Sequence, residues 1–207
     1  MAKLLIIGGT GFFGKSILDA FKLGLLQQFQ ISKIIILARN TNQFRLEFPE
    51  LVIAGVELVC GDITQISSLP LCDYVIHAAA VTNMDDYTSN VISSAKYNVE
   101  KAVSNFCKIV KKHNINSKIL YCSSGIVYGK QPSFLERIPE DFEFQDNLEE
   151  LSTSKKGYCL GKRFAEKEFI KLANLGHNVS IARCFSFKGK YLPKNLHYAY
   201  GNFINNA

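Results

Sequence analysis

The stretch that decides the fold is LLIIGGTGFFGKS, residues 4–16, in which four apolar residues run directly into a glycine-rich turn. The turn fits two phosphate-binding patterns. From Gly9 it reads G-x-x-x-x-G-K-S, the mononucleotide loop, in which Lys15 reaches the outer phosphates and Ser16 holds magnesium. From Gly8 it reads G-x-x-G-x-x-G, a turn that opens a helix against the pyrophosphate of a dinucleotide.

Two features favour the dinucleotide turn. A mononucleotide loop wraps its backbone around phosphate, and Phe12 and Phe13 would put two large rings inside it, whereas in a dinucleotide turn they can begin the helix. A magnesium-binding acid should also end a neighbouring strand, but the strand at 74–76 runs into His-Ala-Ala-Ala, which leaves Asp62 as the one candidate. We therefore predict dinucleotide binding and keep a nucleoside triphosphatase as a minor alternative.

Short apolar segments alternate with longer helical patterns along the chain. Because these segments are apolar throughout, and not at every second residue, they are typical of strands buried on both faces. Strands and helices in alternation predict an α/β fold, a doubly wound parallel (Rossmann) sheet with helices on both faces. The predicted strands are 4–7, 34–37, 56–59, 74–76, 119–122 and 179–182, and the predicted helices are 13–29, 95–112 and 158–175.

Composition narrows the class of protein further. With 207 residues, 47% hydrophobic and 20% charged, the chain suits one globular domain, and no apolar run approaches the ~20 residues of a membrane-spanning helix. A net charge of +6 without an aromatic-basic module argues against nucleic-acid binding. The six cysteines and four histidines are dispersed, which predicts reduced thiols, no metal site and a cytoplasmic protein.

The end of the second predicted strand discriminates between cofactors. An acid there would accept hydrogen bonds from the adenosine ribose, but the sequence is Leu37-Ala38-Arg39-Asn40. The guanidinium of Arg39 suits a 2′-phosphate, and the missing acid is the stronger of the two signals. NADP is therefore favoured as the cofactor, and NAD stays open.

Six short motifs follow one another along the chain. They are GGTGFFG at 8–14, GDIT at 61–64, HAAA at 77–80, YNVEKAVSN at 97–105, SSGIVYG at 123–129 and YCLGK at 158–162. With them the chain resembles, over nearly its whole length, the extended short-chain dehydrogenase/reductase family of nucleotide-sugar epimerases, dehydratases and reductases. The resemblance implies a cofactor site made by Gly8, Thr10, Gly11, Phe12, Phe13, Gly14, Arg39, Asp62, Ile63, Ala78, Ala79, Ala80 and Lys162.

The last motif carries an acid–base pair. Tyr158 and Lys162 lie four residues apart on a predicted helix, so they project from one face. A phenol ionises near pH ~10, but a neighbouring ammonium and an oxidised nicotinamide both favour the phenolate. Tyr158 can then exchange a proton with a substrate oxygen while hydride moves to or from the cofactor. The resemblance adds that Lys162 binds the nicotinamide ribose.

A serine at the end of a buried strand completes the predicted catalytic set. Ser124 can donate a hydrogen bond to the oxygen on which charge develops, because ligands bind at the carboxyl ends of parallel strands. Alignment on Val127-Tyr128-Gly129 makes Ser124, and not Ser123, the family's catalytic hydroxyl. By the same resemblance Asn98 helps to organise the site, whereas His77 is expected to pack in the core.

Three positions depart from the family pattern. Family dehydratases carry Asp-Glu directly after the catalytic serine or threonine, where this chain has Gly125 and Ile126. Dehydration is therefore disfavoured, which leaves epimerisation of a nucleotide sugar or reduction of its 4-keto form, with surface polysaccharide synthesis as the implied pathway. Ser186 replaces an asparagine that commonly contacts substrate, so the sugar stays unidentified. A non-catalytic dinucleotide-binding module is the alternative.

The expected domain division is a cofactor-binding domain over 1–183 and the beginning of a truncated substrate-binding region over 184–207. Relatives carry a C-terminal domain that closes over the sugar nucleotide, so we expect this polypeptide to bind cofactor and to turn over little substrate alone. The acidic connection at 129–157 is expected to cover the substrate. The resemblance further implies a homodimer through the helices at 95–112 and 158–175.

Overall fold

The computed structural model describes residues 1–79, 92–113, 116–144, 148–149 and 151–193. Within these ranges six strands form one parallel sheet in the order β3-β2-β1-β4-β5-β6. The strands are β1 (Ala2–Ile7), β2 (Ile31–Ala38), β3 (Val56–Cys60), β4 (Tyr74–His77), β5 (Lys118–Ser124) and β6 (Val179–Cys184). This is the predicted doubly wound topology, since the sheet grows from β1 in one direction and, after β3, continues on the other side of β1.

The helices of the described residues are α1 (Phe12–Lys22), α2 (Thr41–Glu47), α3 (Ile92–His113) and α4 (Thr153–Asn174), with 3-10 turns at Gln27–Phe29, Pro49–Leu51 and Gly125–Tyr128. In these ranges no helix combines the length and the apolar character needed to cross a membrane. α1 is shorter than the predicted 13–29 because Gly24 adopts a left-handed conformation, with φ +73°, just past its end. α2 was not predicted, since seven residues are too few for a periodic pattern.

The strands are apolar on both faces because each face of the sheet is covered. Leu5 and Ile7 of β1 belong to a core shared with Val103 and Phe106 of α3 and Phe169 of α4, among others. The alternate residues of the same strand, Leu4 and Ile6, belong to a second core with residues of α1 and α2 such as Leu18 and Phe44. Successive side chains of a strand point to opposite faces, so one short apolar segment serves both layers.

The connection predicted at 129–157 ends earlier, because 153–157 form the first turn of α4. It is described at 129–144, 148–149 and 151–152, and it lies against the sheet beside β6. Arg183 of β6 donates a hydrogen bond from Nη1 to the backbone oxygen of Glu140, at 2.7 Å. Leu148 is buried. That this connection covers the substrate stays a prediction. Two of its acidic residues, Asp146 and Glu150, lie outside the described residues.

Candidate functional site

The predicted site residues that the structure describes lie at or near the carboxyl edge of the sheet. In this strand order β1 and β4 are neighbours, and the helices that follow them, α1 and α3, pack on opposite faces of the sheet. Such a switch point opens a crevice in which doubly wound sheets bind their ligands. The glycine turn of residues 8–14 leaves β1 there, and Ala78 and Ala79 follow the end of β4.

Close backbone approach explains the small residues on both sides of this crevice. Gly8 has φ +78°, and a Cβ atom added to it would lie 2.7 Å from Cα of Ala79. A Cβ atom on Gly14 would overlap the backbone of Gly9. The Ala78 amide donates to the Ile7 oxygen at 3.0 Å, which continues the pairing of β1 and β4. The turn therefore needs glycine at these positions for steric reasons, as a dinucleotide turn does.

The start of α1 faces the same crevice. Gly11 precedes the helix with no side-chain cap, and the Lys15 amide makes the first helical hydrogen bond, to the Gly11 oxygen at 3.0 Å. The amides of Phe12, Phe13 and Gly14 belong to the first helical turn, which has no intrahelical acceptors for its N–H groups. With half-buried Thr10 before them, they form the part of the turn suited to an anionic pyrophosphate.

The arrangement of Lys15 and Ser16 does not suit the mononucleotide loop. The Lys15 ammonium lies 4.1 Å from the centre of the Phe48 ring, and burial lowers its pKa. The Ser16 hydroxyl donates to the backbone oxygen of Phe12 at 2.9 Å. The side chain of Lys15 is thus engaged with a ring that follows α2, and that of Ser16 with the first turn of α1, which agrees better with the dinucleotide turn.

The predicted adenosine end lies where β2 and β3 finish. Arg39 is exposed directly after β2, and Asp62 follows β3. Burial favours a raised pKa for the Asp62 carboxyl, but hydrogen bonds from Thr64 and the charges of Arg39 and Lys101 outweigh it, so the pKa is lowered. The Thr64 amide donates to this carboxylate at 2.8 Å. Asp62 is therefore held as an anion beside Arg39.

The turn after β3 is held by Asn105, which was not among the predicted site residues. Asn105 of α3 donates from Nδ2 to the backbone oxygens of Ile63, at 2.8 Å, and Ile66, at 2.9 Å. Ile63 itself is buried. The position of Asn105 at the end of the motif YNVEKAVSN was the available signal. It connects α3 to the strand-end turn that the resemblance places beside adenine.

Tyr158 and Lys162 lie on one face of α4, as their spacing predicts. The Lys162 ammonium is 5.7 Å from the centre of the Tyr158 ring and 4.9 Å from that of Tyr121. It donates to the backbone oxygen of Cys122 on β5 at 2.7 Å and is only 3% exposed. Burial lowers its pKa to about 8, against smaller opposite effects that include the charge of Glu166.

The two serines at the end of β5 have different surroundings. Ser123 is buried and donates from Oγ to the Glu166 carboxylate of α4 at 2.5 Å. Ser124 is half-buried at the edge, where its Oγ accepts a hydrogen bond of 3.4 Å from the Ile126 amide. Because successive strand residues point to opposite faces of the sheet, only one of the two serine side chains can contact α4. The catalytic assignment of Ser124 stays a prediction that this geometry favours.

Two predicted site residues lie wholly or partly outside the described residues. Ala80 lies outside the described residues. Asn98 lies on α3, but its side chain is outside the description. The proposed roles of both stay predictions.

Phe185, directly after β6, fills the space beside Gly125. A Cβ atom on Gly125 would overlap the Phe185 ring, which stacks on Tyr128 with ring centres 6.2 Å apart. Where family dehydratases resembling this chain carry an acid, an aromatic ring therefore covers the backbone. The missing acid is visible in the sequence, but the ring beside Gly125 is not, because the contact joins residues 60 positions apart.

Comparisons with solved structures show the same fold. The UDP-glucuronic acid 4-epimerase of Bacillus cereus, solved with NAD, is 17% identical, with a TM-score of 0.70 over 94% of this chain and 60% of its own. The dTDP-glucose 4,6-dehydratase of Streptomyces venezuelae, with NAD bound, is 20% identical, with a TM-score of 0.76 over 99% of this chain and 63% of its own. The UDP-N-acetylglucosamine 4-epimerase of Methanobrevibacter ruminantium M1 is 19% identical, with a TM-score of 0.72 over 99% of this chain and 62% of its own.

The chain thus spans about 60% of the length of these structures. A search of curated protein sequences finds no significant match. The model of one protein family, described as the NAD dependent epimerase/dehydratase family, matches residues 4–207. Since that match takes in nearly all of the sequence and agrees with the fold, the chain belongs to the NAD-dependent epimerase/dehydratase family.

Proposed function

We propose that the chain is the cofactor-binding part, over 1–183, of an NAD(P)-dependent enzyme that epimerises a nucleotide sugar or reduces its 4-keto form. The observation that carries the proposal is the meeting of Tyr158 and Lys162 on one face of α4 beside the end of β5, where Ser124 lies. Family membership supports it, as do the nucleotide-sugar epimerases among the similar structures. Residues 184–207 would begin the substrate-binding region.

The residues at the carboxyl edge fit a dinucleotide. Gly8 and Gly14 let the backbone pass close, and the amides at the start of α1 would hold the pyrophosphate. Arg39 would hold the 2′-phosphate of NADP, and Lys162 the nicotinamide ribose. When bound, the nicotinamide supplies the acceptor or donor of hydride.

The chain's own residues would carry out the proton transfer. In reduction, the Tyr158 phenol gives its proton to the ketone oxygen; in epimerisation, it takes a proton from the hydroxyl and later returns one. The Lys162 ammonium stabilises the phenolate form, and Ser124 donates to the same substrate oxygen as charge develops there. Gly125 and Ile126 offer no acid or base for removing water, so dehydration is not part of the proposal.

Cofactor preference tests the role of Arg39. We expect fluorescence titration to give roughly tenfold tighter binding of NADPH than of NADH, because the guanidinium pairs with the 2′-phosphate. The Arg39→Ala variant should lose this difference, and Arg45→Ala, which changes an arginine of α2, should keep it. Equal or tighter binding of NADH by the unaltered chain would contradict the preference for NADP.

Replacement of Tyr158 tests the enzyme assignment. In a version that carries a substrate-binding domain, Tyr158→Phe should keep cofactor affinity and lose turnover by about 10² or more, because the proton donor is gone. Tyr74→Phe, at the amino end of β4, serves as the matched control. Unchanged turnover in Tyr158→Phe would instead favour the non-catalytic module.

The proposal includes a cytoplasmic homodimer through α3 and α4. Tyr97 of α3 and Ile170 of α4 are exposed, at 58% and 46%. Sedimentation velocity should give twice the 23.2 kDa mass of one chain, and a monomer at all concentrations would contradict this part.

A further inference from the structure

A buried carboxylate lies on α4 close to the Tyr158 and Lys162 pair. Glu166 is one helical turn beyond Lys162 on the same face of α4, and its side chain is 1% exposed. Its two oxygens accept hydrogen bonds from Ser123 Oγ, at 2.5 Å, and from Arg183 Nε and Nη2, at 3.2 and 2.9 Å. A buried charge with this many partners is held in one position, because each partner fixes a different direction.

The partners of Glu166 come from the two strands that end the sheet. Ser123 of β5 and Arg183 of β6 are paired in register. Ser123 is bonded to Ser124 by a single peptide link, so the hydrogen bond to Glu166 also limits the rotation of the strand end that presents Ser124. The carboxylate therefore joins the predicted serine to the helix that carries Tyr158 and Lys162.

Arg183 extends the same network to the connection after β5. Its Nη1 donates to the Tyr128 hydroxyl at 2.6 Å and to the Glu140 oxygen at 2.7 Å. Its guanidinium also lies 5.1 Å from the centre of the Phe144 ring. Without the Glu166 charge, the guanidinium would have only neutral acceptors within the described part of the chain, and its orientation toward the 140–144 segment would be less defined.

We propose that Glu166 is a positioning residue: paired with Arg183, it holds the serine end of β5 against the Tyr158 and Lys162 face of α4 and keeps a negative charge beside the Lys162 ammonium. The inference rests on the proposed function. It deepens that function by adding a residue that touches neither cofactor nor substrate.

The ionisation of Lys162 provides a readout that a purely structural role would not change. Burial lowers its pKa to about 8, and the negative charge of Glu166 acts in the opposite direction. Among the described residues, the side chains around Lys162 on the neighbouring elements are His77 of β4, Tyr121 and Cys122 of β5, Cys184 of β6, and Tyr158 and Glu166 of α4. Of these, only Glu166 is a carboxylate.

The test compares Glu166→Gln with Glu168→Gln, a matched change on the same helix at a residue that pairs with Lys171 near the surface. NADPH affinity is measured by fluorescence, and the Lys162 titration by carbon-13 NMR of labelled lysine in the 207-residue chain. We expect Glu166→Gln to bind NADPH roughly tenfold more weakly and to titrate Lys162 at lower pH than the unaltered chain. Glu168→Gln should match the unaltered chain in both measurements.

If Glu166→Gln does not fold, Ser123→Ala replaces it, because that variant removes the hydrogen bond without leaving a buried charge unpaired. Ser123→Ala should also weaken NADPH binding, as Glu166→Gln does. The inference would be overturned if the variant that folds binds NADPH as tightly as the unaltered chain. It would also be overturned if Glu166→Gln lowers only thermal stability and leaves both NADPH affinity and the Lys162 titration unchanged. Failure of the unaltered chain to bind either NADPH or NADH would instead contradict the proposed function, and the inference with it.

Discussion

His77 is a residue whose chemistry is set by its neighbours. It ends β4, directly before the alanines of the crevice, and it is completely buried. The rings of Phe106, Tyr121 and Phe169 surround it, with ring centres 5.1, 5.8 and 5.7 Å away. Burial, helped by the nearby charge of Lys162, lowers its pKa to about 3. The imidazole is therefore a neutral aromatic ring at physiological pH, and it packs as one.

This pKa predicts sensitivity of the fold to acid. The unfolded histidine has a pKa near 6.5, so between about pH 6.5 and 3 the unfolded state binds a proton that the folded state does not. Stability should fall as pH drops through this window, by about 2 kcal/mol between pH 7.5 and pH 5. Urea unfolding at the two pH values measures it.

The matched variant for this experiment is His77→Phe, which keeps a ring in the same place. Its stability should change less between pH 7.5 and 5 than that of the unaltered chain, because the titrating group is gone. An equal loss in both proteins would show that other groups cause the acid sensitivity.

At the scale of elements, the segment after β6 crosses from one half of the sheet to the other. The Phe187 ring packs against Phe12 and Phe13 at the start of α1, with ring centres 5.6 and 4.9 Å apart. Farther along, the Tyr191 hydroxyl donates to the Asp19 carboxylate of α1 at 3.1 Å. β6 lies at one end of the sheet and α1 follows the central strand β1, so this segment lies across the carboxyl edge next to the glycine turn.

Phe187→Ala tests whether this crossing stabilises the start of α1. Loss of two ring contacts should lower the free energy of unfolding by about 2 kcal/mol and weaken cofactor binding, because the glycine turn loses a support. Thermal unfolding and NADPH titration measure the two effects. Phe134→Ala, at a ring that is 82% exposed, should have almost no effect on either. Equal effects of the two variants would contradict a specific role of the crossing segment.

At the scale of the whole molecule, the six cysteines differ in how deeply the packing of the fold buries them. Cys60 is exposed, Cys72 and Cys184 are half-buried, and the other three are buried, all as free thiols. Burial raises the pKa of Cys107 to about 12 and that of Cys122 to about 11. Since the thiolate is the reactive form, buried thiols with raised pKa values react slowly.

Thiol titration of the native chain should therefore show one fast-reacting group and two slower ones. The remaining three should react only when denaturant opens the fold, for a total of six. Cys60→Ser should remove the fast phase and leave the rest. Fewer than six thiols in the denatured, unreduced protein would reveal a disulfide and contradict the expectation of a reduced protein.

The sequence by itself determined the features that depend on local order. The run of apolar residues into Gly8, Gly11 and Gly14 was enough for the first strand, the turn and the start of α1, because each needs only neighbours along the chain. The spacing of Tyr158 and Lys162 placed both on one face, since the period of the helix fixes it. With strands and helices in alternation, these features also led to the doubly wound sheet.

Only the tertiary structure decided which partners these residues have. The carboxylate of Glu166 meets Ser123 and Arg183, and the Phe185 ring covers Gly125, through contacts between elements far apart in sequence. The early end of α1 and the short α2 were likewise beyond the helical pattern. A sequence pattern fixes which face a side chain lies on, but burial, charge pairing and pKa depend on what the packing of other elements brings to that face.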